Sequence, residues 1–109
     1  MPTRQTIINL TPHALNVRKK NGSIMAIEPS GGVARVATTR SLVREDARFE
    51  FRRVEFGAVE GLPAPVAGTF FVVSGMVKAA VPERDDVVAP GELIRDDAGR
   101  PVGCDGFTV

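Results

Sequence analysis

The apolar runs of this chain are short, and most of them stop at a proline or a glycine. Proline brings no amide proton to a β-ladder and glycine opens turn conformations, so eight prolines and eleven glycines in 109 residues cut the sequence into strand-sized pieces. That punctuation suits short β-rich runs joined by turns. It predicts an α+β chain that is mostly β, a compact single domain over residues 1–109 with a mixed sheet or partial barrel and one or two short helices. A hydrophobic content of 43% is enough to build one core without metal or disulfide support.

Read along the chain, QTIINL and ALNVRK are strands interrupted at Thr11-Pro12-His13, where Pro12 breaks the ladder. Asn21-Gly22 is suited to the positive φ values of a tight hairpin turn, SIMAIEP is a third strand, PSGG at 29–32 another turn, and VARVAT a fourth strand. This first half has the cadence of antiparallel hairpins. ARFEFRRVEFG is the clearest strand, and its change of apolar parity around Arg52-Arg53 predicts a bulge. VEGLPAPVAG is a connection. Phe70 to Val73 reads as a strand buried on both faces, and GMVKAAV as about two helical turns ending before Pro82. The twelve residues from Gly75 to Asp86 are near the minimum for a parallel crossover. ELIRDDAGRPVGCDGF closes the chain as a hairpin around DDAG.

Composition removes several chemistries. One Cys and one His cannot form an internal disulfide or supply a four-ligand structural zinc site, so no metal and no cofactor is expected. The Asp pairs at 85–86 and 96–97 lack the ligand spacing of a calcium loop. No apolar run nears the roughly 20 residues of a membrane span, and MPTRQTIINL is too short in its apolar part for a secretory signal, so no membrane partner and a cytoplasmic location are expected. Phe supplies all six aromatics, too few for the stacking platform of a single-strand nucleic-acid binder. The phosphate-loop and dinucleotide glycine fingerprints are missing as well. Residues 1–60 carry ten Lys/Arg against six Asp/Glu and residues 61–109 four against seven, an asymmetry that suits capture of an anion or contact between subunits.

Two stretches combine residue types that bind anions. Ser74 and Gly75 stand where a strand enters a helix, presenting a hydroxyl and backbone N–H groups. Ser30 in PSGG opens a glycine pair whose amides can form a nest, with Arg35 following to add a charged hydrogen bond. Arg40 and Arg84 are further candidates to neutralise phosphate, and Thr11 and His13 to hydrogen-bond a base or ribose. Each has a plainer role open to it: Ser74 as a helix cap, PSGG as an ordinary turn, His13 as a polar residue at a strand edge. A hydrolase would recruit Ser74, His13 and Asp85 or Asp86, but VVSGM is not the G-x-S-x-G elbow.

NLTPHALNV, PSGGVARV, FGAVEGLPAP, TFFVVSGMV, ERDDVVAPG and IRDDAGRPVGC together resemble a group of small proteins found in bacteriophages and bacterial genomes. The resemblance runs over nearly the whole chain and implies a phage setting rather than a mechanism. Small phage proteins of this kind include inhibitors of host defence, some of which sequester nucleotide immune signals, and minor structural or regulatory proteins. The expected function is therefore a non-enzymatic, homo-oligomeric protein that holds a small anionic, nucleotide-like ligand in the host cytoplasm. The alternative is a protein-binding inhibitor or structural accessory with a host protein as partner; a small hydrolase is the third reading.

Overall fold

The computed structural model describes residues 5–109; residues 1–4, part of the N-terminal stretch judged too short for a signal, lie outside the described residues. The elements are β1 (Thr6–Asn9), β2 (Leu15–Arg18), β3 (Ile24–Ile27), β4 (Arg35–Glu45), β5 (Glu50–Glu60), β6 (Thr69–Val72), α1 (Gly75–Ala80), β7 (Val87–Arg95) and β8 (Pro101–Thr108). Six strands form one mixed sheet in the order β1-β6-β7-β8-β2-β3. A parallel bridge from Asn9 to Pro29, just past β3, brings its two ends together, so the sheet is nearly closed into a barrel. The fold is α+β and mostly β.

β6 is central because Phe71, Val72 and Val73 are apolar without alternation, and it is covered on both faces. Phe71 is in register with Val87, and on that side Leu10, Ala34, Val73 and Val77 complete a core roofed by α1. Asn9, Val72 and Val88 occupy the opposite face in register, where Val17 and Cys104 are also buried. β6 and β7 pair in parallel across α1, so the twelve-residue connection, near the minimum for a crossover, is long enough to make one. Cys104 is a free, buried thiol.

β4 and β5 stand apart from this sheet and pair only with each other. Their eleven-residue strands form an antiparallel arm that gives the molecule a longest dimension of 61 Å. The radius of gyration, 17.2 Å, exceeds the roughly 13 Å of a compact chain near 100 residues. Cross-strand partners share a face, so the register Val36–Val59, Thr38–Phe56, Arg40–Val54, Leu42–Arg52 and Glu45–Glu50 defines an inner face, toward α1. Thr39, Ser41, Arg44, Phe51, Arg53 and Glu55 lie on the outer one.

Several sequence expectations change here. β1 pairs with β6 and β2 with β8, both in parallel, so antiparallel hairpins account for only part of the first half. PSGG does not close a hairpin: the strand beginning in VARVAT pairs with β5, not β3. No bulge falls at Arg52-Arg53: β5 runs without an inserted residue from Glu50 to Phe56, and the parity change only puts Phe51 and Phe56 on opposite faces; the irregularities lie at Val43 on β4 and after Val36. At the β2–β3 turn only Gly22 has positive φ, +89°. Asn21 instead accepts hydrogen bonds at its Oδ1 from the Ser23 N–H and hydroxyl. The β7–β8 turn repeats this design, with Gly99 at +80° and Asp96 Oδ1 accepting from the N–H groups of Ala98 and Arg100.

Candidate functional site

Asn9 organises the break at Thr11-Pro12-His13. Its side chain is 1% exposed, and both donors and the carbonyl oxygen are engaged. Nδ2 donates to the carbonyls of His13 (2.8 Å) and Ile27 (3.1 Å), while Oδ1 accepts from the Thr11 N–H (2.9 Å) and Thr11 hydroxyl (2.6 Å). The Asn9 carbonyl also accepts from the Ser30 N–H. One residue therefore folds the turn after β1 and ties it to the segment leaving β3. The sequence reading missed it because nothing local distinguishes this asparagine from any other near a strand end.

Leu10 then fixes the site. Its N–H donates to the Val72 carbonyl and its carbonyl accepts from the Ala34 N–H. Three distant segments are thus clamped at one point, and the next residues along them are Thr11, Ser74 two positions past Val72, and Arg35. They line a cleft of about 390 Å³ with walls from Leu10, Pro12, Val36 and Met76. Thr38 adds a further hydroxyl at its edge.

Local chemistry sets what each group offers. Ser74 is the N-cap of α1, in extended conformation, and its Oγ accepts from the Val77 N–H at 3.3 Å. Its hydroxyl proton remains available to an anion, so capping and ligand contact are compatible. The Thr11 hydroxyl donates within the turn to Asn9 and can only accept from a ligand. Arg35 is exposed and makes no ion pair among the described residues, although Glu60 is its cross-strand neighbour. Its guanidinium carries a fixed charge and five donors, suited to carboxylate or phosphate oxygens.

The other sequence candidates are placed elsewhere. His13 is exposed, with its carbonyl held by Asn9 and Thr11, and does not line the cleft. Ser30 is exposed; its N–H is taken by Asn9, and the Gly32 N–H donates to the Ser30 hydroxyl, so two amides of the supposed nest are engaged internally. Arg40 lies on the inner face of the arm. Gly75 opens α1 next to Ser74, with free space where a Cβ would stand, so close packing is not why it is glycine.

Arg84 forms a two-pronged ion pair with Asp86, both bonds at 2.8 Å, and donates to the Pro63 carbonyl. Both side chains are about four-fifths covered, at 20% and 18% exposure. The bonds from Arg84 hold the Asp86 carboxyl below its ordinary range, and Asp86 correspondingly raises Arg84. Arg84 therefore fastens the connection after α1 to the segment after β5. Asp86 is thereby engaged with Arg84, and no Ser74-His13-Asp86 relay forms among the described residues.

A larger hollow of about 800 Å³ lies at the β2–β3 end of the barrel, with Ile7, Val17, Met25 and Phe107 in its walls and Arg18, Lys19 and Lys20 beside it. Arg18, Lys19 and Lys20 run consecutively into the Asn21-Gly22 turn. Arg18 is paired with Asp105 at 3.1 Å. Among the described residues there is no cluster of three or more metal-ligating side chains and no helix long and apolar enough to cross a membrane. Set against protein-family models, curated proteins and solved structures, the chain matches none of them.

Proposed function

We propose that this chain is a non-enzymatic binding protein that captures a small anionic, nucleotide-like ligand in the cleft of Thr11, Arg35 and Ser74. The observation that carries the reading is that Arg35 and Ser74, expected as anion contacts, and Thr11, expected to hydrogen-bond a base or ribose, come from separate stretches to line one cleft. Its volume lies within the usual range of small-molecule sites. Arg35 meets the charge, the Ser74 hydroxyl donates to an anion oxygen, and Pro12, Val36 and Met76 give apolar surface to a base or ribose. The ionisable side chain in this lining is a guanidinium, which holds charge but does not shuttle protons near neutral pH, a composition suited to holding a ligand.

In the phage setting implied by the resemblance, the natural ligand is a nucleotide immune signal, held in the host cytoplasm by sequestration. A thermal-shift screen with cyclic dinucleotides, cyclic mononucleotides, ADP-ribose derivatives and NAD tests this, since a ligand that binds only the native state raises the melting temperature. Recovery of the intact compound after heat denaturation separates capture from turnover. A flat response across the panel would remove the proposal. The competing reading, a protein-binding inhibitor or structural accessory, draws its support from the uncovered arm.

A further inference from the structure

We propose that the arm of β4 and β5 is a self-association device, and that its inner face stacks on the same face of a second copy across a two-fold axis near Leu42. This does not rest on the ligand reading. The inner face continues the core outward: Val36 and Val59 are partly buried against it, whereas Val54, Leu42 and Phe56 are 40%, 48% and 61% exposed. At its base a groove of about 240 Å³ is lined by Val36, Phe56, Met76, Ala79 and Ala80. An amphipathic two-stranded ribbon is marginal in water without a cover for its apolar side. Here Phe56, Val54 and Leu42, followed outward by Arg52, Glu45 and Glu50, are left largely uncovered within the chain.

Charge identifies the occupant as another copy. Between residues 35 and 60 the arm carries six arginines and five acidic residues, a balance that does not select a strongly acidic or basic partner. On the inner face Arg52 is already paired with Glu50, while Arg40 and Glu45 make no ion pair among the described residues. Both belong to β4, on either side of Leu42. A two-fold axis at Leu42 runs the arms antiparallel and lays Glu45 of each over Arg40 of the other, with Leu42 meeting its own mate.

Area bounds the strength of such a contact. A ribbon of eleven-residue strands is roughly 36 Å long and about 10 Å wide, a projected footprint on the order of 360 Å². With the α1 groove added, this is a contact smaller than the standard specific interface, consistent with a dimer that dissociates on dilution. Because Val36 and Met76 line both groove and cleft, the second copy sits beside the cleft entrance.

Sedimentation equilibrium of the full chain over a concentration series, without ligand, reads the association directly. The expected result is a dimer that dissociates on dilution, with Phe56→Glu or Leu42→Glu raising its dissociation constant roughly 30-fold or more. Thr39→Glu on the outer face leaves it unchanged. Arg40→Glu weakens the dimer and Glu45→Arg in the same chain restores it. Circular dichroism confirms folding, and Leu42→Glu, farther out on the arm, decides if Phe56→Glu does not fold. A monomer at every concentration overturns the proposal. So does a dimer indifferent to the inner-face variants, or one that Thr39→Glu disrupts.

Discussion

Asn9 shows how one buried amide can specify a turn. Replacing it with Ala removes the partner of the Thr11 N–H and of the Ile27 carbonyl, while the His13 carbonyl keeps the Thr11 hydroxyl as donor. Unsatisfied buried groups cost about 1–3 kcal/mol each, so Asn9→Ala is expected to lose about 3 kcal/mol in denaturant unfolding. Asn9→Asp will not rescue it, since a carboxylate has no donor for the two carbonyls. A loss below about 0.5 kcal/mol, the range of neutral surface changes, would show that water replaces these bonds. Gly75 makes the opposite prediction. It has no positive φ and open space at the Cβ position, so Gly75→Ala should stabilise the first turn of α1 by about 0.4–1 kcal/mol. At this scale Ser74 was readable because caps follow local rules. Asn9 was not, because its meaning depends on Ile27, eighteen positions away.

Among the elements, the connection from α1 to β7 is held by Arg84 and Asp86. The folded Asp86 carboxyl titrates below its unfolded value, so its contribution is complete above the ordinary carboxylate range and fades as pH falls through the folded value. Asp86→Asn should cost about 1–2 kcal/mol at neutral pH, the range for a partly covered, charge-assisted pair. The difference from the parent chain should shrink below about pH 4. A difference constant with pH would assign Asp86 a packing role instead. At the arm tip, hydrogen bonds from the Arg48 and Phe49 N–H groups likewise lower Asp46, adding acid sensitivity of the same sign.

The strands and the crossover were legible because apolar runs and proline or glycine punctuation are local signals. β6 announced itself by Phe70 to Val73, and α1 by the turn before Pro82. Pairing was less legible. The run after PSGG looks like the return strand of a hairpin, yet the Leu10–Ala34 bond diverts it away from β3 and into the arm. The change of parity near Arg52 reads as a bulge in the sequence, yet it only sets Phe51 and Phe56 on opposite faces of a continuous stretch of β5, and nothing local announced Val43 as the extra residue on β4.

For the whole molecule, the near-closed sheet supplies stability while two features look outward, the arm and the cleft at its base. The sequence identified Thr11, Arg35 and Ser74 as binding types without showing that they meet. Their meeting depends on Leu10 bonding to both Val72 and Ala34. Arg84 has the same chemistry as Arg35, but Asp86 and Pro63 engage it. Residue type therefore nominated the site, and partner availability selected within it.

The central claim is that Arg35 charges a ligand-binding cleft. Isothermal titration of the panel's best nucleotide into the parent chain, Arg35→Ala and the exposed surface control Arg100→Ala tests it most directly. Loss of a charge-assisted hydrogen bond predicts binding weaker by about 1.5–3 kcal/mol, roughly 10- to 150-fold, in Arg35→Ala alone. Equal affinity in all three proteins would contradict the account and move the ligand away from this cleft.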